Sequence, residues 1–392
     1  MKKRLSKLTA LVLSLVLALS IVPASAATPS VSINLDGVHL KCTGAQPTIK
    51  SGRTMIPIRP LAEALGAVVG WDPATRQVTL TRANTTIIMT VGSKTAYVNG
   101  QPMDMAVAPY IEGGRTMIPA RYVAEFFGQI VTWDGTTRRV YVTEDKSVAE
   151  GSNLEAWALP MGSMLSYLNW GKPDHFGLYA RSDSSAFISN EMPFDLARSA
   201  LSGSWSIENR EDLIETVASM TVAGHNINFL VDAALVNSLS ASEYKQLLAN
   251  ATGMDAYMWP YTKQLSEKWG DRGILCWDLF RMSNLVQWGY NAGYVTYAEA
   301  LALLEPAATL LCANFSSWEE AYENYLDGYN WWARNNVLGE DIWQTERGVK
   351  YAQIKESYGQ IFDDSLFKTG VLPVPGLSID DVIATLPDSS ID

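Results

Sequence analysis

The residues best suited to chemistry in this 392-residue chain lie close together between positions 277 and 288. If this segment is helical, Trp277, Arg281 and Trp288 share one face, and Asp278 lies three residues before Arg281, close enough for an ion pair. Such a pair has two interpretations. It is either a buried ion pair inside a helical core, which we favour, or part of a binding site.

Two further candidates come from neighbouring segments. His225 follows Gly224, a predicted helix stop, where its ring could cap the last carbonyl groups; a catalytic role would need a nucleophile or carboxylate beside it. Trp318 begins an aromatic stripe at helical spacing. The stripe is either a solvent-facing platform for sugar rings or peptidoglycan, or the core of a helical domain, which we favour. Its other members are Tyr322, Tyr325, Tyr329 and Trp332.

These patterns define six candidate ligand-binding residues: His225, Trp277, Asp278, Arg281, Trp288 and Trp318. We assign no catalytic residue, no metal site and no cofactor. The chain contains no Gly-rich phosphate loop and no His-Glu-x-x-His, Cys-x-x-Cys or Gly-x-Ser-x-Gly pattern. We interpret adjacent acids such as Glu319-Glu320 and Asp363-Asp364 as solvated helix surface.

Capping signals place the candidates in a mainly α-helical domain, predicted over residues 154–370 and followed by an acidic tail over 371–392. Asn209 or Ser206 can cap a helix that Gly224 stops. Strand signals are nearly absent after residue 153. Three capping boxes follow, each with a Ser or Thr and a Glu three residues later: Ser240/Glu243, Thr296/Glu299 and Ser316/Glu319.

The front of the chain is built differently, because one segment occurs twice. The hexapeptide Gly-Arg-Thr-Met-Ile-Pro occupies residues 52–57 and 114–119, and 16 of the 27 positions from 52 to 78 recur at an offset of 62. Two copies of one supersecondary unit are therefore predicted. Each copy reads as a short strand, a short helix stopped by Gly66 or Gly128, and a β-hairpin.

The arginines, tryptophans and aspartates shared by the copies could form a site or a scaffold. Trp71 and Trp133, each followed by an aspartate, flank tight turns. Arg59 and Arg121 start short helices, where they could hold neighbouring carbonyl groups. A catalytic site is rarely needed twice within 62 residues, so we interpret the shared residues as scaffold.

The doubled motif resembles the copper amine oxidase N-terminal-like, or stalk, domain of exported Gram-positive proteins. The resemblance covers about residues 32–143 and is carried by Gly-Arg-Thr-Met-Ile-Pro-x-Arg, Ala-Glu-x-x-Gly and Trp-Asp-x-x-Thr-Arg-x-Val. It implies an α+β module of antiparallel sheet and short helices over residues 27–146, used as a surface spacer or adhesion unit. It does not imply copper, because the only histidines are His39, His175 and His225, and Asn324-Tyr325 is followed by Leu326 rather than an acid.

The helical segment resembles the bacterial domain-of-unknown-function family 1266 over about residues 195–335. This resemblance implies a helical domain with no established activity. Asn226 departs from the family, in which a basic residue tends to follow Gly-His. The motifs, in order, are Trp205-x-Ile207-x-x-Arg210, Gly224-His225, Trp277-Asp278-x-x-Arg281, Trp288-Gly289-Tyr290, Ala292-Gly293-Tyr294, Ser317-Trp318-Glu319, Tyr325-x-x-Gly328 and Trp331-Trp332.

The first 26 residues predict an exported protein. A basic start, an apolar run from Leu8 to Val22 and an Ala24-Ser25-Ala26 cleavage site are typical of a Sec signal peptide. We therefore expect a secreted or surface-associated protein with no transmembrane anchor after cleavage. In an exported protein Cys276 and Cys312 could pair, although small buried apolar side chains are the favoured interpretation.

Charge separates the two predicted domains, which a polar linker at 147–153 joins. Residues 27–150 carry 12 basic and 10 acidic side chains, whereas residues 151–392 carry 14 basic and 31 acidic ones. This acidic balance argues against nucleic acid as a partner.

Three functional hypotheses follow. The favoured one is a non-enzymatic protein whose stalk presents a helical domain to a cell-wall polymer or another envelope protein, through an aromatic-rimmed groove near Trp277, Trp288 or Trp318. The alternative is an envelope-polymer hydrolase with two carboxylates across a cleft. In the third, the helical domain is an assembly module with its aromatic residues buried between subunits. The carboxylates considered for the hydrolase are Asp278, Glu299, Glu319 and Glu320.

Overall fold

The computed structural model describes residues 30–35, 38–42, 44–169, 171–176 and 193–386. The predicted signal peptide, residues 1–26, lies outside these ranges. A region of mostly antiparallel sheets is followed by a helical region, which confirms the predicted fold class of two domains. The described residues beyond 150 contain no strand.

The strands all lie in the first domain. They are β1 (Ser32–Leu35), β2 (Val38–His39), β3 (Thr48–Lys50), β4 (Arg53–Pro57), β5 (Val68–Asp72), β6 (Gln77–Arg82), β7 (Thr85–Thr90), β8 (Thr95–Val98), β9 (Gln101–Asp104), β10 (Tyr110–Glu112), β11 (Arg115–Pro119), β12 (Gln129–Asp134) and β13 (Arg139–Glu144).

Two short α-helices lie between strands of the first domain, and the other α-helices follow residue 153. They are α1 (Ile58–Ala64), α2 (Ala120–Phe126), α3 (Leu154–Leu168), α4 (Pro193–Trp205), α5 (Arg210–Ala223), α6 (His225–Ser238), α7 (Ala241–Asn250), α8 (Asp255–Trp269), α9 (Leu275–Asn291), α10 (Tyr297–Asn314), α11 (Trp318–Trp332), α12 (Glu346–Tyr358), α13 (Leu366–Thr369) and α14 (Ile379–Ile383). Short 3-10 helices lie at Lys146–Ala149, Gly270–Arg272, Ile342–Gln344 and Gly359–Ile361.

The two copies of the repeat meet at the middle of one sheet, in the order β10-β11-β4-β3. Strands β4 and β11 pair antiparallel with Ile56 opposite Ile118. On either side, Met117 pairs with Pro57 and Met55 pairs with Pro119, and these two pairs are exchanged by the 62-residue offset. The copies are therefore related by an approximate twofold axis at this pair of isoleucines. Both isoleucines are fully buried in the core of the domain, which fixes the register.

Two other sheets complete the domain. Strands β5 to β9 form an antiparallel meander, and the remaining sheet has the order β12-β13-β1-β2. In that sheet β1 runs parallel to β13, so the predicted antiparallel architecture holds for all the described strand pairs except this one.

The predicted local structure of the repeat is confirmed at its helix stops. Gly66 and Gly128 have φ angles of +77° and +76°, a conformation that favours glycine. The expectation that Arg59 and Arg121 hold carbonyl groups is wrong. Each guanidinium instead lies near a carboxylate one helical turn later, at 3.4 Å for Arg59 and Glu63 and 3.6 Å for Arg121 and Glu125.

Helix α9 is the centre of the second domain. Of its 17 residues 14 are buried, and it contacts α3, α4, α5, α6, α10 and α11. The aromatic stripe of α11 packs inward against it: Tyr322 and Tyr325 are fully buried and lie against Phe280 with ring centroids 4.9 and 5.1 Å apart. This confirms the core interpretation for most of the stripe, but Trp332 at its end is 45% exposed.

The capping predictions are confirmed at three helices and wrong at one. Asn209 caps α5, and the boxes at Ser240 and Thr296 are formed at α7 and α10. Helix α11 is capped by Ser317, which accepts from the backbone of Glu320, and not by Ser316 with Glu319. Adjacent serines and adjacent glutamates allow either register. The second is selected because Glu320 also accepts a hydrogen bond from Arg272 at 2.7 Å.

The domains join through backbone contacts between two glycines. A Cβ on Gly293 would lie 2.1 Å from the carbonyl oxygen of Gly66, and both residues have positive φ angles. The guanidinium of Arg198 donates to the carbonyls of Gly66 and Ala292, and the backbone N–H of Ala83 donates to Gly293. No side chain larger than hydrogen fits at either glycine, so the backbones of the two domains are in direct contact here.

The chain after residue 370 also packs on the helical core. Val374 and Val382 are buried, and α14 contacts α10 and α5. Asn153, in the segment predicted as a linker, exchanges hydrogen bonds with the backbone of Gly370 and Leu372. Cys276 and Cys312 are both free thiols, so they do not pair.

No described helix is by itself long and apolar enough to cross a membrane; α10 and α11 pass that test only when joined across a bend of 106°.

The cap of α11 predicts a specific response to acid. Burial acts to raise the pKa of Glu320, but hydrogen bonds from Arg272 and Ser316 outweigh it and lower the pKa below 4.5. The stabilisation is therefore present above pH 4.5 and is lost as the pH falls through the folded-state pKa. We expect Glu320→Gln to lower the free energy of unfolding by about 1 kcal/mol at pH 7, since the carboxylate is partly screened by solvent.

Chemical denaturation between pH 3 and pH 7 measures this effect, and the difference from the wild type should shrink below pH 4.5. Glu319→Gln is the matched control, because Glu319 is exposed and contacts only Lys355, at 3.3 Å. Equal effects of the two substitutions at pH 7 would show that the hydrogen bonds of the Glu320 carboxylate add no stability.

Candidate functional site

Four of the six predicted residues meet at the start of α9, where a buried carboxylate is held from several sides. Asp278 is 3% exposed, and its Oδ2 accepts a hydrogen bond of 2.7 Å from the backbone N–H of Asn226, at the start of α6. The chain passes so close that a Cβ on Gly224 would lie 2.3 Å from this oxygen. The glycine of the Gly-His sequence is therefore explained by its close packing against the carboxylate of Asp278.

Arg281 lies one helical turn after Asp278 and is held between aromatic rings. Its Nη1 is 3.5 Å from Asp278 Oδ1, and its guanidinium carbon lies 4.3 Å from the ring centroid of Trp205 and 5.1 Å from that of Trp277. Burial lowers the pKa of Arg281, although Asp278 acts against this change. Cation–π contacts of this kind stabilise a guanidinium that has lost part of its water.

His225 is oriented by its neighbours rather than by helix carbonyls. It is the first residue of α6, and its Nδ1 lies 2.7 Å from Arg281 Nη1 and 3.2 Å from Trp277 Nε1. Arginine and tryptophan can only donate hydrogen bonds, so Nδ1 is the acceptor and the ring proton lies on Nε2. The side chain of His225 is 32% exposed, so this ring can present an N–H donor at the surface.

Aromatic residues and a second arginine extend the site beyond the predicted residues. Trp332 packs on Trp277 with ring centroids 5.0 Å apart, and Arg347 lies over the ring of Tyr329 at 3.5 Å. Arg347 also donates to the hydroxyl of Tyr325. We call the surface formed by His225, Trp205, Arg281, Tyr329, Trp332 and Arg347 the Arg–Trp patch.

Sequence reasoning missed Arg347 because it lies 66 positions after Arg281 in the chain, on a separate helix. The signal that could have identified Trp332 is its place at the end of the aromatic stripe, where the helix leaves the core. Trp205 belongs to a motif of the second family resemblance, but the sequence does not indicate that it lies beside Arg281.

The other two predicted residues lie elsewhere and are buried. Trp318 is 1% exposed and packs against Trp157 and Phe367, and Trp288 is 8% exposed. Trp277 is also buried, at 3% exposure. These three indoles fill the core of their own domain, so they do not themselves rim the groove expected near them. This also argues against an assembly module with these aromatic residues buried between subunits.

The four carboxylates considered for hydrolysis are each held by a different cation. Asp278 lies near Arg281, while Arg210 binds Glu299 at 2.8 Å. Arg272 binds Glu320 at 2.7 Å, and Lys355 lies 3.3 Å from Glu319. The two clefts of the first domain and the cavity at Asp327 contain none of these four side chains in their linings.

A second polar cluster, missed in the sequence, lies at a cavity of about 200 Å³. Asp327 is buried and accepts from Lys268 at 2.7 Å, Trp269 at 2.8 Å and Tyr261 at 3.1 Å. Burial raises the pKa of Asp327 although Lys268 acts to lower it. Burial acts to lower the pKa of Lys268, but Asp327 and Glu323 outweigh it and raise that pKa. Each group has a partner, which is the arrangement expected of a structural ion-pair network.

Among the described residues no group of three or more His, Cys, Asp or Glu side chains is arranged to hold a metal ion.

Comparison with known proteins matches two separate segments of the chain. Residues 34–142 match the family described as Copper amine oxidase N-terminal domain, and residues 200–358 match the family described as Protein of unknown function (DUF1266). These matches support the two-domain architecture and confirm both resemblances for the segments concerned.

Two proteins of Escherichia coli (strain K12) are similar to part of the chain. The uncharacterized protein YbeU is 32% identical over 133 residues, and the uncharacterized protein YbeR is 25% identical over 132 residues. Each alignment covers 34% of this chain and 56% of the relative, so the chain spans about half the length of the curated relatives it matches.

The packing of Gly224 against Asp278 generates a stability prediction. We expect Gly224→Ala to lower the free energy of unfolding by about 1–3 kcal/mol or more, because the new methyl group would overlap a buried carboxylate. Gly203→Ala in α4 is the control, since a Cβ there meets no atom within 4 Å and should be neutral or stabilise by up to about 1 kcal/mol. Thermal and urea unfolding measure both, and equal stability of the two variants would contradict the packing argument.

Proposed function

We propose that the chain is an exported, surface-associated binding protein without catalytic activity, in which the helical domain binds another envelope protein through the Arg–Trp patch. The observation that carries the proposal is the exposed end of the aromatic stripe: Trp332 is 45% exposed and lies over a buried network that holds Arg281 and His225 in place. Leaving a large indole in water has no benefit for folding.

The composition of the patch favours a protein partner. Tryptophan, tyrosine and arginine are the residues enriched at the energetic centres of protein interfaces. Trp332, Tyr329, Arg281 and Arg347 supply all three types on a surface whose side chains are fixed by mutual contacts. Side chains that are already ordered lose little conformational entropy on binding.

Charge indicates which partner surface would fit. The patch contains two guanidinium groups, and one buried carboxylate, Asp278, lies beneath it, so the patch is cationic within a domain that carries 14 basic and 31 acidic side chains. The acidic remainder of the domain would repel an acidic partner everywhere except at the patch. We therefore propose a partner segment with one or two carboxylates flanking an apolar residue.

The exported location is part of the same proposal. Its support is the basic, apolar and Ala-x-Ala pattern of residues 1–26, together with the resemblance of the duplicated domain to a stalk module of exported proteins. Here the stalk would hold the helical domain away from the surface.

The hydrolase alternative has less support. Hydrolysis of a glycosidic bond needs two carboxyl groups facing each other across a cleft, roughly 5–9.5 Å apart. Glu299 and Glu320 instead cap helices and bind arginines, and Asp278 is buried.

The patch predicts a defined loss of binding. The mature chain, residues 27–392, is used to capture partners from the envelope of the producing bacterium, and the captured protein is then purified. We expect Trp332→Ala to weaken the affinity by about 30-fold or more, as for a central interface tryptophan. The control is Met254→Ala, which removes a 52% exposed apolar side chain outside the patch. A partner bound equally by both variants, or no partner at all, would contradict the proposal.

The location is tested separately. Intact-mass measurement of the natural protein should give a chain that begins at Ala27, in the culture medium or on washed cells. An intact Met1 in the cytoplasmic fraction would disprove export and would leave the patch experiment unaffected.

A further inference from the structure

Two large clefts among the described residues lie in the duplicated domain, whose shared residues we interpret from the sequence as scaffold. The first cleft has a volume of about 520 Å³ and the second about 360 Å³, sizes typical of small-molecule sites. The first is lined by Arg59, Trp71, Ile111, Gly114, Arg115 and Thr116 among others, and the second by Ile49, Gly52, Arg53, Thr54, Arg121 and Trp133 among others.

The two clefts are copies of one site. Every one of the 11 residues that line the second cleft has its counterpart 62 positions away in the lining of the first. Nine of these 11 pairs are identical in type, compared with 16 of 27 across the repeat. The exposed fractions also agree: 40% and 41% for Trp71 and Trp133, and 46% and 43% for Ile111 and Ile49.

Each cleft is built from both copies of the repeat. Because β4 and β11 run antiparallel about Ile56 and Ile118, the Gly-Arg-Thr start of one strand lies beside the Pro-x-Arg end of the other. The first cleft thus combines Trp71 with Arg115, and the second combines Trp133 with Arg53. One copy alone would form neither cleft, so the duplication creates two sites rather than repeating one.

Folding accounts for some of the shared residues and not for others. The glycines that begin the motif have φ angles of +69° and +73°, and the shared valines are part of the core. By contrast, Arg53 and Arg115 are exposed, and no described carboxylate lies within ion-pair distance of either. Two unpaired arginines and two half-exposed tryptophans, kept at equivalent positions, point to a ligand.

The chemistry of the lining indicates the class of ligand. An exposed indole offers a flat apolar face for the C–H face of a sugar ring, and the neighbouring isoleucine extends that face. The two guanidinium groups of each cleft can bind a carboxylate, and only one of them, Arg59 or Arg121, already contacts an acid. Glu63 also lines the first cleft and pairs with Arg59, so Arg115 in that cleft and Arg53 in the other are left for the ligand. The lining therefore fits one ring with one negative charge.

We propose that the two clefts are equivalent binding sites for a uronic-acid unit of an acidic polysaccharide. A single-stranded nucleic acid would also offer rings and negative charge, and we favour the uronic acid because its ring and its carboxylate belong to one unit that matches one indole beside one unpaired guanidinium. The clefts lie in the other domain from the Arg–Trp patch, so this proposal does not depend on the protein partner proposed above.

Calorimetric titration of residues 27–392 with trigalacturonic acid tests the proposal. The wild type should bind two molecules, and the fully methyl-esterified trisaccharide, which keeps the rings and loses the charge, should bind at least about tenfold more weakly. Trp71→Ala and Trp133→Ala should each leave one site, and the double variant none. Tyr97→Ala, which removes a 46% exposed ring outside both clefts, should keep two sites.

Paired substitutions test the shared construction of the clefts. Trp71→Ala with Arg115→Ala alters one cleft through both copies and should leave one site. Trp71→Ala with Arg53→Ala alters a single copy but both clefts and should leave none. Because all these side chains are exposed, the melting temperature should stay close to that of the wild type, which separates loss of binding from loss of folding.

Three results would overturn the proposal. They are no binding of trigalacturonic acid by the wild type, equal binding of the methyl ester, or tighter binding of an oligothymidylate of the same length. Unchanged stoichiometry in the Trp71→Ala/Trp133→Ala variant would also reject the clefts as the sites. Substitution of Trp332 in the helical domain should change none of these values.

Discussion

The buried carboxylate of Asp278 is the constraint on which the surface of the helical domain depends. A charge in a helix with 14 buried residues out of 17 costs several kcal/mol unless it is paired. Its partners are the backbone of Asn226 and the guanidinium of Arg281, and Gly224 must lack a side chain to let them approach. Arg281 in turn orients His225 and packs on two indoles, so the exposed patch is the outer layer of an arrangement set from within.

The first domain is controlled by a different constraint, the antiparallel pairing of β4 and β11. Ile56 and Ile118 occupy the same position in the two copies and lie opposite each other at the centre of the strand pair. The two copies are therefore related by an approximate twofold axis through this pair. Residues of one copy then lie beside different residues of the other, as Trp71 and Arg115 do in the first cleft. The domain is comparable to a homodimer joined into one chain, in which each cleft takes residues from both halves.

Much of the fold could be predicted because it depends on local sequence. Helix caps, the inward stripe of α11 and the glycine stops of the repeat follow from spacing alone, and the error at Ser316 was one residue between adjacent equivalents. The sites were harder to predict, because they depend on contacts between distant segments. Spacing along the chain cannot show that Arg115 lies beside Trp71, or that Arg347 lies over Tyr329. From the sequence alone, the repeated arginines and tryptophans are therefore interpreted as scaffold, whereas in the structure they line two clefts.

The contact between Gly66 and Gly293 gives the molecule a property that neither domain has alone. A spacer that ends in a flexible tether lets its cargo sample many distances, but here backbone meets backbone and Arg198 bonds to carbonyls on both sides. The two domains are thus held at a set separation and angle. Any two ligands bound at the two domains would therefore be held at one fixed spacing, as by a gauge.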